Sequence, residues 1–233
     1  MRVVLIGPPG AGKGTQAVRL AAALAVPHIS TGELLRSEID RGTQLGEQVR
    51  ELIAGGGLVP TELLAGLVEQ RLVESGAAGF LLDGFPRRVD QAELLDRLLA
   101  HHAWELTAAV LLDLPDEEVL RRITGRRVCS WDASHGFHLT AAPPRRPGRC
   151  DHCGGPLLQR SDDEPETVLR RQEHYRVETA PLAEYYRRTG ALRRVAAVGS
   201  VAEVEWRLRA ALTAGLIPSC PGPSGPGPSR PGR

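Results

Sequence analysis

Lysine is almost absent from this chain: of its 29 basic residues all but one are arginine, and the exception is Lys13. Arginine's planar fork serves most electrostatic tasks, so a lone lysine points to a task that needs a compact, flexible ammonium. Cysteine is nearly as scarce. Four cysteines are too few for a disulfide scaffold, and three of them fall between positions 129 and 153, which suggests a metal site in a reducing compartment; Cys220 stands apart. Charge of one sign is lacking too, with 28 acidic residues leaving a net charge of +1. No whole-chain field therefore attracts nucleic acid or an anionic membrane, and any bound anion must be held by a local cluster. No apolar run approaches the roughly 20 residues that span a bilayer, and the first residues lack the pattern of a secretory signal. A cytoplasmic location is expected, with neither nucleic acid nor membrane as partner.

A length of 233 residues suits one catalytic body with insertions and a sizeable core. Val3-Val4-Leu5-Ile6 is a short apolar run ending at Gly7, and Thr15 to Ala25 is rich in Ala and Leu without a breaker, which reads as a strand, a turn and a helix. Further apolar runs at Phe80-Leu82, Ala108-Leu112 and Leu192-Val195 alternate with helical patterns at 60–74, 88–100, 116–124 and 201–213. That alternation predicts an α/β fold, a parallel sheet covered on both faces.

Two stretches interrupt it. Residues 30–59 read as short helices broken at Gly42 and Gly55-Gly56-Gly57, with no strand extending the sheet. Residues 126–163 are rich in Gly, Pro, Cys, His and Arg and read as an irregular lobe that needs its own staple. Glu164-Pro165-Glu166 suits the first turn of a helix running to about Pro181 or beyond. The expected body is thus 1–29, 60–125 and 164–217, and residues 218–233, almost all Pro, Gly, Ser and Arg, are expected to form a disordered tail.

The strongest chemical signal is Gly7-Pro8-Pro9-Gly10-Ala11-Gly12-Lys13-Gly14-Thr15, which follows a strand and opens a helix. In that context glycines let backbone N–H groups wrap a phosphate at a positive helix terminus, with Lys13 reaching the outer phosphates. The general pattern asks for Ser or Thr directly after the lysine. Here Gly14 stands there, which removes from that place the hydroxyl that would ligate Mg2+ directly.

Gly-Lys-Gly-Thr resembles the nucleoside monophosphate kinases, adenylate kinase in particular, and other motifs agree in order. Thr31-Gly32-Glu33-Leu34-Leu35-Arg36, Leu58-Val59-Pro60 and Asp83-Gly84-Phe85-Pro86-Arg87 with Gln91 are similar to the family's AMP-side motifs; Arg122, Gly125-Arg126-Arg127, Arg160-Ser161-Asp162-Asp163 and Arg171 are similar to its lid hinges. The resemblance covers about residues 1–215. It implies a three-layer P-loop core with a helical AMP-binding insertion at 30–59 and a lid at 126–163, acting as a monomer on ATP and AMP with Mg2+. By resemblance, ATP falls to Gly10, Ala11, Gly12, Lys13, Gly14, Thr15, Arg122, Arg126, Gly136, Phe137 and Gly199. AMP falls to Thr31, Arg36, Gly57, Leu58, Val59, Gly84, Phe85, Pro86, Arg87, Gln91, Arg160 and Arg171. The catalytic set is Lys13, Arg87, Arg122, Arg126, Arg160 and Arg171, oriented by Asp162 and Asp163, with Asp83 holding the Mg2+ water shell. This set matches the chemistry, because phosphoryl transfer between two anions asks for positioning and charge neutralisation more than for proton transfer.

Cys150-Asp151-His152-Cys153-Gly154 is a common zinc half-site, and Cys129 supplies a third thiolate. The family's first half-site is Cys-x-x-Cys, whereas here Cys129-Ser130-Trp131-Asp132 leaves the fourth ligand to Asp132 or His135. Family spacing favours Asp132, giving Cys129, Asp132, Cys150 and Cys153 as the expected structural Zn2+ set; His135 is the chemically better partner. His138 resembles a residue on the ATP side of the lid. Rival readings are a kinase for another nucleotide pair and a nucleotide-binding regulator or DNA-associated zinc protein without turnover; the near-zero charge and the arginine set weigh against the second.

Overall fold

The computed structural model describes residues 1–75 and 78–214. The expected tail at 218–233 lies outside the described residues. A five-stranded parallel sheet runs in the order β2 (His28–Ser30), β3 (Phe80–Asp83), β1 (Arg2–Ile6), β4 (Ala108–Asp113), β8 (Leu192–Ala196). The three central strands are continuous apolar runs because both faces are covered. Their alternation sorts the core into two layers. Val3, Leu5, Leu81, Val110 and Leu112 pack with α1 (Lys13–Leu24), α6 (Asp116–Thr124) and α9 (Val201–Ala214), through Leu20, Ile123 and Leu208. Val4, Ile6, Phe80, Leu82 and Leu111 face α4 (Thr61–Ser75), α5 (Val89–His101) and α8 (Pro181–Arg188), through Val68, Leu95 and Tyr186.

Two short helices, α2 (Thr31–Asp40) and α3 (Gln44–Ala54), occupy the first interruption. The reading of 30–59 as strand-free needs one correction, since Ser30 ends the edge strand β2, paired with Asp83. Three residues, one of them a histidine, are too short a run to announce themselves. Ser30 also caps α2, its Oγ accepting from the Glu33 N–H at 3.4 Å.

The second interruption is less irregular than its composition suggests. It holds a three-stranded antiparallel sheet in the order β6 (Gly136–His138), β5 (Arg126–Cys129), β7 (Leu157–Leu158). The helix after Pro165 also differs from expectation: α7 (Pro165–His174) passes into a π turn at Tyr175–Thr179 before α8 begins. Pro181 has no N–H to continue an α-helical ladder, and the Ala180 N–H closes a wide turn onto the Tyr175 carbonyl at 2.7 Å.

Candidate functional site

The loop after β1 sits at the carboxyl edge of the sheet, beside the end of β3, because Leu5 is in register with Asp83. Its glycines are structurally required at two points. Gly10 has φ +76° and lies so close to α6 that a Cβ would meet Ile123 Cγ1 at 3.0 Å; Gly12, at φ +85°, ends the loop as the N-cap of α1 without a side-chain acceptor. The first N–H groups of α1 are therefore free to bind an anion. Lys13 opens the helix, and its Nζ donates to the carbonyls of Gly7 at 2.8 Å and Pro8 at 3.0 Å. Desolvation brings its pKa down to about 8; Asp83 opposes the shift, and Arg87, Arg171 and Arg126 reinforce it.

Those arginines come from distant segments. Arg87 Nε donates to the Gly84 carbonyl at 2.9 Å. Arg171, on α7, pairs with Asp162 at 2.9 Å and Asp163 at 3.3 Å. Arg126, at the start of β5, grips both oxygens of fully buried Asp163, the Nε bond being 2.8 Å. Burial lowers the proton affinity of Arg126, but the Asp163 bonds overcome it and the pKa rises. Arg160 is pushed down to about 10 by desolvation and then by Arg36 and Arg126, and Arg87 is lowered by desolvation and then by Arg171. Asp162 is held below the usual carboxylate range: burial raises it, but Arg171 and Arg126 outweigh burial. Six cations, Lys13, Arg36, Arg87, Arg126, Arg160 and Arg171, thus face three carboxylates, Asp83, Asp162 and Asp163. The surplus of positive charge is what a polyphosphate neutralises.

A cavity lined by Lys13, Arg87 and Arg171 of this cluster extends to Gly84. Gly84, at φ +89°, leaves room where a Cβ would stand 2.7 Å from Thr31 Oγ1, and Thr31 Oγ1 donates to the Asp83 carbonyl at 3.4 Å. Gln91 is buried; its Oε1 accepts from the Arg87 N–H at 2.8 Å, so its NH2 is the group left to donate. Gly56 and Leu58 line the same cavity as Lys13, Gly84, Pro86 and Arg87. Phe85 and Val59 are core residues beneath it. The backbone also explains why Gly56 is glycine, with φ +76° and a Cβ position 2.7 Å from Arg171 Cγ.

Other expected residues lie apart from the cavity. Arg122 donates to the Ala197 carbonyl at 3.0 Å, which ties α6 to the loop carrying Gly199 at φ +118°. Gly136 and Phe137 belong to β6, with Phe137 opposite Arg127, and neither lines the cavity. His138 folds over Gly125; its Nδ1 accepts from the Ala141 N–H at 3.0 Å and its Nε2 lies 3.3 Å from the Arg121 carbonyl.

The group with metal-ligand chemistry is Cys129, His135, Cys150 and Cys153, whose ligand atoms all lie within 4.8 Å of one another. Asp132, the expected fourth member, is outside this group, and His135, the alternative, is in it. The Asp132 Oδ1 accepts from the Ser134 N–H at 2.9 Å and the Ser134 hydroxyl at 2.6 Å, closing a turn that delivers His135 to the thiols. Sulfurs about 3.8 Å apart fit a tetrahedron with zinc–sulfur bonds of about 2.3 Å. Cys129 and Cys153 stand 3.4 Å apart and Cys150 Sγ lies 3.5 Å from His135 Nδ1, so the donor set fits zinc with little adjustment. Burial raises the Cys129 pKa, but the N–H groups of Trp131 and Asp132 and the neighbouring thiols hold it at about 7.

Sequence reasoning missed several residues here. His174, the last residue of α7, and Tyr175 and Thr179 of the π turn line the cavity. Arg170 Nε donates to the Gly55 carbonyl at 3.1 Å and its Nη2 to Thr167 Oγ1 at 2.8 Å, strapping α7 to the glycine run after α3. Nothing in the sequence distinguishes Arg170 from the many exposed arginines around it.

The family model for adenylate kinase matches residues 5–191. An adenylate kinase of Streptomyces griseus is 51% identical over 215 residues, covering 92% of this chain and 98% of that protein. One from Moorella thermoacetica is 50% identical over 84% of this chain and 90% of its own length, and one from Methanothrix thermoacetophila 41% over 88% and 94%.

Proposed function

This chain belongs to the adenylate kinase family, and from that premise we propose that it transfers the terminal phosphoryl group of ATP to AMP, reversibly forming two ADP. The observation that carries the reading is the convergence of Arg36, Arg87, Arg126, Arg160 and Arg171, from separate segments of the chain, around the loop that holds Lys13. Residues 1–29, 60–125 and 164–217 form the core in this reading, 30–59 the AMP-binding insertion and 126–163 the lid.

ATP phosphates bind the N–H groups of residues 10–15 and Lys13. Arg122 and Gly199, joined through Ala197, flank the ATP side with Gly136 and Phe137 on the lid. Arg36 and Arg87 take the AMP phosphate; Thr31, Gly57, Leu58, Val59, Gly84 and Gln91 take its nucleoside, with the Gln91 NH2 facing adenine. Arg126, Arg160 and Arg171 neutralise the charge that develops between the two phosphates, and Asp162 and Asp163 set the guanidinium planes. A closed site excludes water, so that ATP is not simply hydrolysed.

Mg2+ bound with ATP would neutralise the nucleotide's charge, and Asp83, 3.5 Å from the Cβ position of Gly14, would hold its water shell. A glycine at 14 keeps that approach open. Zn2+ held by Cys129, His135, Cys150 and Cys153 would be structural, with all four positions closed.

The test is ADP formation from ATP with AMP, GMP, UMP or CMP, using native protein and Lys13→Ala. Rapid turnover with AMP alone, lost in the variant, is expected. Preference for another monophosphate would overturn the roles given to Thr31 and Gln91, and failure with every acceptor would reduce the chain to a nucleotide binder.

A further inference from the structure

Apart from the α-amine of Met1, the chain has one amine, the Nζ of Lys13. It lies against the phosphate loop, donating to two backbone carbonyls at 2.8 and 3.0 Å. A neutral amine has two N–H donors and one lone pair, so these two bonds use the donors and spare the lone pair, and Lys13 lines a cavity with Gly84, Arg87 and Arg171. The arginines carry enough charge to hold a phosphate dianion without Lys13 being protonated. A pKa of about 8, set by desolvation, leaves about a tenth of these amines neutral at pH 7, far more than an ordinary lysine would have. What such a site selects is a reagent with a phosphoryl group for the loop and an electrophilic carbon one oxygen away.

We propose that Lys13 is an acylation site, at which an acyl phosphate bound by its phosphoryl group in the loop transfers its acyl group to Nζ. The proposal rests on the reading of residues 7–15 as a phosphate loop. The Nζ lone pair forms a C–N bond to the acyl carbon, the bond from that carbon to the phosphate oxygen breaks, and inorganic phosphate leaves with the electron pair and an amine proton. The product is a neutral amide in place of a cation, which switches the kinase off in proportion to its extent. Because every other side-chain cation is an arginine or a histidine, this chain concentrates amine-directed acylation at one place.

Acetyl phosphate is the probe, applied to the full chain with and without ATP, and read by intact mass, peptide mapping and binding of ATP. Met1 serves as an internal control, at the opposite end of β1 and about 17 Å from the loop by strand rise. A gain of one acetyl group on the Lys13 peptide is expected, slowed about a hundredfold by ATP at about a hundred times its dissociation constant, and absent in Lys13→Arg. Arg87→Gln should label more slowly, because the phosphoryl group is held less well. Label on Met1 alone, label on Lys13 that ATP does not slow, or no label in protein that binds ATP would each overturn the proposal. Failure to bind ATP at all would instead bring down the phosphate-loop reading beneath it.

Discussion

The phosphate cavity and the Cys/His lobe are stabilised by opposite means. Beneath the cavity lie β1, β3 and β4, whose side chains from Val3 to Ile6, Phe80 to Leu82 and Ala109 to Leu112 are at most 5% exposed. Within 126–163 the buried hydrophobic residues are Cys129 and Cys150 alone, among the described residues. A lobe of that kind cannot be held by burial and needs a metal or a ligand to close it. The core can consequently tolerate a destabilising excess of positive charge at its site, whereas the lobe depends directly on its four-ligand group. The cation cluster stands on the best-buried part of the chain and the metal-ligand group on the least-buried.

The sharpest way to break this comparison is to remove charge from the cavity. Arg87→Ala is expected to lower kcat/KM for AMP by about a thousandfold, the scale of losing a group that stabilises transferring phosphate. Its melting temperature should be unchanged or higher, because a desolvated cation facing Arg171 is gone. A large fall in melting temperature would mean that the cluster is structural. If the lobe holds zinc as proposed, stripping the metal should do the reverse. Hydrogen exchange at 126–163 is expected to accelerate while β1, β3 and β4 remain protected. His135→Ala should lower the zinc content of the purified protein and Asp132→Ala leave it near one per chain; the opposite result would restore the family's spacing.

A smaller effect sharpens the link between the two regions, since α7 leaves the lobe and is strapped to the glycine run after α3, in the proposed AMP-binding insertion. Arg170→Gln is expected to raise the KM for AMP about fivefold, corresponding to a hydrogen bond of about 1 kcal/mol, with kcat and the KM for ATP nearly constant. Equal changes in both KM values would assign Arg170 to general stability. The smallest effect concerns pH. Lys13 binds its proton less tightly folded than unfolded, so the protonated form opposes folding at neutral pH, and the opposition fades as pH rises from about 8 to about 10.5. Lys13→Met should therefore melt higher than native protein at pH 7, with the gap closing by about pH 10.5. A gap independent of pH would show that desolvated charge is not its cause.

Much of this was legible beforehand because it is written locally. The loop from Gly7 to Thr15 carries its own chemistry: glycines at positive φ, a lysine and a helix start are all contiguous. Likewise β1, β3 and β4 follow from apolar runs that no other environment would favour. The arginines were legible only through their order along the chain, since an arginine alone is usually solvated surface. Other features left almost no trace. β2 is three residues long, and the π turn shows itself only through Pro181.

By itself, then, the sequence determined the parallel core, the phosphate loop, its lone amine and the number of thiols available to a metal, because burial patterns and loop chemistry act over a few residues. Tertiary structure alone brought the His135 ring within reach of those thiols, had Gln91 spend its carbonyl on the Arg87 backbone, and let Arg170 reach Gly55. These are choices among chemically similar candidates separated by a few ångströms. Such choices depend on where distant segments come to rest, and no local pattern in the chain records that.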